Sequence, residues 1–281
     1  MIGYIQIKKG QKKCCKGYYD LIKRRSIPCR LYEDLTKSEY SQCKNCEINS
    51  GFKLCLGCNG SMCKARNNIA KQFCNQEHYV YLAYFANDKF KVGTTASYRK
   101  YERLLEQGAI YSIFLAKTSD GKTARKIETE ISKLGISSKV NISYKINNII
   151  IDKESEEIEK ALINEYKRIL IKLDKSITPY IIEPEYNDFG KINSVLKRLL
   201  SENIEQMSIF SDIKENSYIS YNKITSPEEI EGKIIVTIGN LILLEKNQEY
   251  SLINMKYLEG WEVYFKIKGC DICNKLGLKS F

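Results

Sequence analysis

Several features that would place the chain in a special class are missing from its sequence. Proline occurs only four times in 281 residues, and no repeat or low-complexity run is present, which argues against a repeat protein or a largely disordered one. The opening residues, MIGYIQIKKGQKK, lack the apolar segment of a secretory signal peptide. The longest apolar run, at 234–244, is too short to span a membrane. We therefore expect a soluble, cytoplasmic protein with no membrane partner and room for two or three small domains.

Charge is plentiful and unevenly distributed. The net charge is +11. Residues 1–75 contain 15 Lys and Arg against 5 Asp and Glu, residues 76–140 contain 11 against 7, and residues 141–281 contain 19 against 22. A lysine-rich surface explains the high count but not the asymmetry, so we expect RNA or DNA to bind the basic front half. The residues expected to contact phosphates are Lys12, Lys13, Lys23, Arg24 and Arg25.

Cysteine is abundant, with eleven in a chain that carries no secretory signal, so disulfide bonds are the less favoured interpretation. Cys43-x2-Cys46 and Cys55-x2-Cys58 are two knuckles, each able to present two thiolates to one metal ion. Glycines and asparagines lie between and after the knuckles, where turns are needed. The spacing predicts a structural four-thiolate Zn²⁺ site.

Three more potential zinc ligands follow the knuckles, namely Cys63, Cys74 and His78. They could complete a second site with one further thiolate. Alternatively, four of the seven candidate ligands hold a single zinc ion and the others are spare. His78 is equally compatible with a role as a ligand and with a surface position or a position behind the ligands. A lone knuckle, Cys270-x2-Cys273, has no local partner. It could meet Cys14-Cys15 or Cys29 in space or have a redox role.

A regular order of elements follows His78. Alternation of tyrosines with apolar residues predicts two strands joined by a turn at Asn87-Asp88, and apolar residues at helical spacing predict two helices. Gly108 is expected to cap the first helix. The order is strand, strand, helix, strand, helix over residues 79–86, 89–95, 97–107, 109–119 and 121–135.

Four motifs in and beside this region resemble the sequences of a known family. They are Cys74-x3-His78, Val80-Tyr81-Leu82-Ala83, Lys91-Val92-Gly93-Thr94 and Gln107-Gly108-Ala109. The chain resembles the domain of unknown function family 2797 (DUF2797) over residues 43–135, and the element order is similar to that of the GIY-YIG nuclease fold. The resemblance implies an α+β protein, in which a zinc-binding segment precedes a GIY-YIG-like β-β-α-β-α domain, with helices and a small β-rich domain after it.

The resemblance also implies roles for individual residues. In GIY-YIG enzymes a helix glutamate holds a divalent metal, an arginine contacts phosphate, and strand tyrosines serve the base end. These roles would fall to Glu128, with Mg²⁺ or Mn²⁺, to Arg99 or Arg103, and to Tyr81. Each residue also has a plainer interpretation, because Tyr81 could be a half-buried strand aromatic, Glu128 a solvated charge, and the arginines part of a surface ion-pair ladder.

The chain departs from the GIY-YIG pattern at Lys91, which stands where a second tyrosine is expected. The length of the hairpin loop decides the consequence, because a shift of one residue exchanges the two faces of a strand. A two-residue loop places Phe90 beside Tyr81, whereas a three-residue loop places Lys91 there. In the second case the lysine could bind phosphate or, if desolvated, act as a base.

The rear half is predicted to be helical over 154–173 and 191–206, linked through Pro179 and Pro184, and β-rich from 215 onward as a small meander or barrel. The segments expected along the chain are 1–40 (basic), 41–78 (zinc-binding), 79–140 (GIY-YIG-like), 141–212 (helical) and 213–281 (β-rich).

Three functions are compatible with these features. The favoured one is a zinc-containing nucleic-acid-binding protein that keeps the GIY-YIG-like shape. The alternatives are an active divalent-metal-dependent endonuclease with Lys91 in place of the tyrosine, and a zinc-organised protein–protein adaptor. The sequence leaves the oligomeric state and the number of zinc ions open.

Overall fold

The computed structural model describes residues 4–65, 67–85, 87–147, 153–190, 219–222, 229–247 and 249–268. These residues belong to two compact units. The first unit is drawn from 1–18, 26–46 and 202–281, and the second from 19–25 and 47–201. Both units combine strands with other structure, which gives the α+β class expected from the sequence. Within the described residues, no helix combines the length and the apolar composition that crossing a bilayer requires.

The first unit is built on a six-stranded sheet. Its strands are β1 (Tyr4–Lys13), β8 (Ile219–Asn222), β9 (Glu229–Ile238), β10 (Leu241–Lys246), β11 (Glu249–Asn254) and β12 (Trp261–Lys268). They lie in the order β12-β1-β9-β10-β11-β8. The predicted C-terminal strands are therefore present, but a strand from the start of the chain is inserted between two of them.

Strand β1 lies in the basic segment 1–40, in which the sequence placed expected phosphate contacts such as Lys12 and Lys13. Ile5 and Ile7 alternate with polar residues and are buried, because β1 pairs antiparallel with both β12 and β9. These isoleucines pack with Ile230 and Leu244 in the core of the sheet. The alternating stretch is short and runs directly into lysines, so the composition of the segment hides the strand.

The second unit contains a four-stranded antiparallel sheet in the order β5-β4-β6-β7. The predicted order of elements after residue 78 is confirmed. It consists of β4 (His78–Tyr84), β5 (Phe90–Ala96), α3 (Lys100–Gln107), β6 (Tyr111–Thr118) and α4 (Gly121–Lys133). Gly108 caps α3 with φ 68°, also as expected.

Strand β7 (Ile181–Asp188) differs from the prediction, which treated this stretch as a link because of Pro184. The strand lies at the edge of the sheet and pairs only with β6 among the described strands. An edge strand tolerates proline because one row of its N–H groups has no ladder to complete. The register with β6 shifts between Phe114 and Ala116.

The two faces of this sheet form separate cores. On one face, Val80 and Leu82 pack against Ile127 of α4 and Leu162 of α6 (Ser155–Lys172). On the other face, Tyr81, Ala83 and Phe85 pack with Leu104 of α3 and Phe114. Helix α6 agrees with the prediction for 154–173, whereas the predicted helix at 191–206 and the Cys270–Cys273 knuckle lie outside the described residues.

The β4–β5 hairpin resolves the alternative that the sequence left open. Tyr81 pairs with Gly93, Ala83 pairs with Lys91, and the Phe85 amide donates to the Lys89 carbonyl at 3.2 Å. The loop therefore has three residues, 86–88. Since directly paired residues share a face, Lys91 lies on the same face as Tyr81.

Short elements complete the described structure. They are β2 (Tyr18–Asp20), β3 (Arg25–Ile27), α1 (Lys44–Ser50), α2 (Asn68–Cys74) and α5 (Ile142–Asn147). Strands β2 and β3 form a two-stranded ribbon. Asn67 caps α2, because its side chain accepts from the Ala70 amide at 2.9 Å.

Candidate functional site

Four cysteines of the first unit form a compact sulfur cluster. Cys15, Cys29, Cys43 and Cys46 are all buried, and their sulfur atoms lie within 4.8 Å of one another. The Cys29 and Cys43 sulfur atoms are 3.9 Å apart. A tetrahedral zinc ion with Zn–S bonds of about 2.3 Å separates its sulfur ligands by about 3.8 Å. The donor set and its spacing could therefore hold a metal ion such as zinc.

Backbone amides point at these sulfur atoms. Cys15 Sγ accepts from the Cys43 amide at 3.1 Å and from the Gly17 amide at 3.4 Å, and the Cys46 amide donates to Cys43 Sγ at 3.5 Å. Such bonds favour thiolates, and amide hydrogen bonds lower the pKa of Cys29 to about 7. At Cys46, burial and the neighbouring cysteines instead raise the pKa of the thiol. Four thiolates this close together need a cation to balance their charge.

The grouping of ligands differs from the sequence prediction. Cys43 and Cys46 were expected to share one ion with Cys55 and Cys58, but the structure places them with Cys15 and Cys29. Single cysteines so far apart in sequence lack the C-x2-C spacing that makes a knuckle recognisable. Cys15 follows β1 and Cys29 follows β3, and folding brings these two segments next to Cys43 and Cys46.

The remaining predicted ligands lie in the second unit. Cys55, Cys58, Cys63, Cys74 and His78 all line one cavity of about 570 Å³. The His78 ring is buried, and its Nδ1 lies 2.7 Å from the Gln76 carbonyl oxygen, which makes Nδ1 the protonated nitrogen.

A second set of polar groups surrounds Tyr81 and Lys91, and Gln107 connects them. The Gln107 side-chain oxygen accepts from Lys91 Nζ, and its Nε2 donates to the Tyr81 hydroxyl at 2.9 Å. The Gln107 carbonyl oxygen accepts from Lys145 Nζ at 2.5 Å. Gln107 is the last residue of α3, so the helix end, both hairpin strands and α5 meet at this point.

Gly93 makes room for the tyrosine. A Cβ at position 93 would lie 2.3 Å from the Tyr81 hydroxyl oxygen, closer than any real contact allows. The aromatic ring therefore lies directly over the glycine. The sequence is compatible with a bulge or with the close approach of a ligand at Gly93, whereas in the structure the group that approaches is the side chain of Tyr81.

The electrostatics of the Tyr81 site are dominated by cations. Burial, together with the positive charges of Arg103 and Lys145, lowers the pKa of Lys91 to about 7, with Glu128 opposing the shift. Burial and Arg103 lower the pKa of Lys145 to about 8. Several cations are thus held close together and partly away from water, an arrangement that an anion would relieve.

Tyr81 is unsuited to act as a base in this setting. Its side chain is 1% exposed, and burial raises the pKa of its hydroxyl. Because Gln107 Nε2 donates to that oxygen, the phenolic proton remains free to donate elsewhere. The expectation that a strand tyrosine serves the base end therefore has no support in the geometry, and Lys91 is the residue with a pKa near neutrality.

Glu128 is buried on α4 and is engaged by a neighbour. Its Oε2 accepts from Arg125 at 2.7 Å, and the residue is 9% exposed. The interpretation of Glu128 as a solvated surface charge is thus wrong. In this arrangement Oε2 of the carboxylate is the partner of an arginine, so Mg²⁺ or Mn²⁺ bound at Glu128 would share the carboxylate with Arg125 or compete with it.

Arg99 and Arg103 both pair with one glutamate. Arg99 lies 2.5 Å and Arg103 3.7 Å from Glu106. The surface ion-pair ladder that the sequence suggested is present at this residue. Arg103 is nevertheless close enough to act on the Lys91 and Lys145 ammonium groups.

The basic residues expected to contact phosphates fall into different environments. Lys12, Lys23, Arg24 and Arg25 are exposed. Lys13 is buried, and its Nζ donates to the Ser38 carbonyl at 2.7 Å. The expectation that Lys13 is a surface residue in contact with phosphate is therefore wrong.

Gln107 and Lys145, which lie around Tyr81, and Arg125, which pairs with Glu128, are not singled out by the sequence as site residues. Gln107 belongs to the Gln-Gly-Ala motif, so a signal was present, but its spacing only indicated a helix end. Arg125 was seen only as another helix charge, and Lys145 lies in a segment with no motif. Their participation depends on how helices α3, α4 and α5 meet the hairpin.

Comparison with known proteins gives one match. The model of the family described as "Protein of unknown function (DUF2797)" matches residues 5–263, nearly the whole chain. A search of curated proteins and a search of solved structures found no match to this chain.

Proposed function

Because the chain belongs to the DUF2797 family, whose description assigns no activity, we propose from the geometry of its sites that it is a nucleic-acid-binding protein. The Tyr81 site, defined as Tyr81, Lys91, Arg103, Gln107 and Lys145, binds a backbone phosphate. The cysteine cluster of the first unit holds a structural zinc ion.

The observation that carries this proposal is the set of cations around Gln107. Lys91 and Lys145 both donate to Gln107, and both have a pKa lowered by burial and by Arg103. Holding such groups together costs folding free energy, and a bound anion offsets that cost. A phosphate presents several acceptor oxygens, which suits ammonium and guanidinium donors.

The surroundings favour a polymeric anion over a small one. In the second unit the Arg24 guanidinium lies 4.1 Å from the Tyr98 ring centroid, and the Arg99 guanidinium lies 5.7 Å from the Tyr19 ring centroid. Arg24 and Tyr19 are exposed, whereas Tyr98 and Arg99 are partly buried. Arginine–tyrosine pairs at a surface can stack on bases and neutralise phosphates at the same time. The basic front half of the chain adds long-range attraction for a polyanion. The GIY-YIG-like order of elements is consistent with a nucleic-acid substrate.

Binding of labelled RNA and DNA tests the proposal. Single-stranded, duplex and branched forms would be titrated with wild type and with Lys91→Gln/Lys145→Gln. The double variant should lose at least about tenfold in affinity, because each lysine supplies a charged hydrogen bond. The logarithm of the affinity should fall linearly with the logarithm of salt concentration.

A matched control separates the Tyr81 site from general surface charge. Lys133→Gln/Lys139→Gln removes the same charge from exposed positions of the same unit and should change affinity by less than about threefold. Equal losses in the two pairs would contradict binding at the Tyr81 site. No binding to any nucleic acid would favour the zinc-organised protein–protein adaptor.

A second function, divalent-metal-dependent phosphodiester hydrolysis, has one specific observation in its favour. Lys91, with a pKa of about 7, can accept a proton from an attacking water while Arg103 holds the phosphate. The bond from phosphorus to the leaving oxygen breaks, and that oxygen takes a proton from solvent. A divalent ion at Glu128 would neutralise charge on a non-bridging oxygen. Cleavage that is lost in Glu128→Gln while binding is retained would establish this activity, and binding without cleavage in wild type would exclude it.

A further inference from the structure

The second unit contains four cysteines that the first cluster does not use. Cys55 and Cys58 form a knuckle, Cys63 lies in the loop after it, and Cys74 is the last residue of α2. All four line the same cavity. They come from three separate stretches of chain, as the ligands of a closed metal site commonly do.

The geometry of the Cys58 knuckle repeats that of the first cluster. The Gly60 amide donates to Cys58 Sγ at 3.4 Å, and Gly60 has φ 77°. In the first cluster the Gly17 amide donates to Cys15 Sγ at 3.4 Å, and Gly17 has φ 76°. A left-handed glycine two residues after a cysteine turns its N–H toward the sulfur and stabilises a thiolate there.

The walls of the cavity suit a structural site. The Phe52 and Phe73 rings pack edge to face with centroids 5.7 Å apart, and Phe73 also packs on His78. These rings give an apolar wall, which strengthens the attraction between thiolates and a cation.

We propose that Cys55, Cys58, Cys63 and Cys74 bind a second thiophilic divalent cation of the zinc class. Among the described residues, the first group alone has all its sulfur atoms within 4.8 Å of one another. Cation binding therefore draws this second group together. Cys63 is the exposed member of the group, and four sulfur donors complete a tetrahedral set without His78.

The position of this site gives it a structural role. A Cβ on Gly60 would lie 2.4 Å from the Lys122 carbonyl oxygen, and Thr129 Oγ1 donates to the Asn59 carbonyl at 3.3 Å. The knuckle therefore packs against α4, the helix that carries Arg125 and Glu128. A cation that closes the knuckle braces this helix beneath the Tyr81 site.

Metal content of the full chain, loaded with Zn²⁺ under reducing conditions, tests the proposal. In a Cys270→Ser/Cys273→Ser background, elemental analysis should give about two zinc ions per chain. Cys55→Ser/Cys58→Ser should reduce the count to about one, and so should Cys43→Ser/Cys46→Ser. Cys14→Ser should leave it at about two, because Cys14 is not a member of either group.

Cysteine alkylation of the same background chain, read by mass spectrometry, needs no variant of the site itself and so does not depend on whether such a variant folds. Loading with Zn²⁺ should protect Cys55, Cys58, Cys63 and Cys74, and a chelator should expose them. A count of one in the starting background, or Cys63 alkylated equally fast with and without zinc, would overturn the proposal. A disulfide within this group in the reduced, loaded protein would also overturn it. None of these readings depends on nucleic-acid binding.

Discussion

The Gln107 carboxamide donates to the Tyr81 hydroxyl at 2.9 Å while its oxygen accepts from Lys91. An ammonium group only donates, so the amide oxygen must face Lys91 and the nitrogen must face Tyr81. The orientation of one side chain therefore fixes both neighbours. The phenolic proton of Tyr81 is therefore not used in the bond with Gln107.

Replacing Gln107 should expose this dependence as a loss of stability. Gln107→Leu leaves the buried Tyr81 hydroxyl without its partner, which should cost about 1–3 kcal/mol of unfolding free energy in urea titrations. Adding Tyr81→Phe should recover part of the loss, because the orphaned hydroxyl is then removed. If the two changes are additive, the hydrogen bond has no stabilising role.

Gly93→Ala should destabilise the second unit. The added Cβ would lie 2.3 Å from the Tyr81 oxygen, and overpacking of this kind costs about 1–3 kcal/mol. Thermal unfolding followed by circular dichroism would measure it. In a Tyr81→Leu background the same substitution should cost less than about 1 kcal/mol, since the ring is gone. An equal cost in both backgrounds would show that the glycine serves the backbone and not the ring.

Affinity for nucleic acid should fall as pH rises from about 6 to about 8.5. With a pKa of about 7, Lys91 is charged below neutrality and neutral above it, and Lys145, with a pKa of about 8, adds to the same trend. The charged form binds phosphate, so affinity is highest at low pH. Fluorescence anisotropy at constant ionic strength would record the profile.

Two substitutions at Lys91 separate its charge from its titration. Lys91→Arg keeps a positive charge at every pH and should retain affinity with a shallower pH dependence. Lys91→Gln should bind weakly throughout, with a similarly shallow profile. If both variants keep the pH dependence of affinity that wild type shows, Lys91 does not contact the phosphate.

The contribution of Lys91 to folding stability should change with pH in the opposite direction to its contribution to binding. Its pKa is lower in the folded chain than in the unfolded one, so protonation of the folded state is unfavourable below about pH 7. As pH rises through 7 the folded state releases a proton that the unfolded state keeps, and this lysine's destabilising effect diminishes up to about pH 10. Lys91→Gln should therefore be more stable relative to wild type at pH 6 than at pH 9, as measured by urea unfolding.

Removing zinc from the first cluster should destabilise the first unit. A metal that binds only the folded state, at about 1,000 times its Kd, contributes about 4 kcal/mol, so a chelator should lower Tm by roughly 10 °C. Cys43→Ser/Cys46→Ser should unfold at the lowered Tm even without chelator. Adding chelator should not lower the Tm of this transition further. Cys14→Ser should behave as wild type. A chelator-independent Tm in wild type would contradict a metal at this cluster.

Much of the second unit follows from local sequence signals. Alternation in 79–86, helical spacing in 121–135 and the cap at Gly108 depend on interactions between residues near one another in the chain, so their pattern is readable directly. The same is true of the family motifs and of the two C-x2-C knuckles. These features correctly indicated the order of elements and the presence of cysteines that could hold a metal ion, although the sequence grouped Cys43 and Cys46 with the wrong partners.

Other features depend on contacts between distant segments, and only the tertiary structure decided them. One residue more or less in a hairpin loop places either Phe90 or Lys91 beside Tyr81, and the observed pairing selects Lys91. Cys43 and Cys46 belong with Cys15 and Cys29 because folding brings those chain segments together, which no local spacing encodes. The lysine-rich start of the chain is strand β1 because two strands from the C-terminal region supply its hydrogen bonds. The sequence by itself determined which elements and chemical groups are present. Long-range pairing determined which of these groups meet. The reason is that backbone hydrogen bonds and side-chain packing act between residues that are close in space, however far apart they lie in the chain.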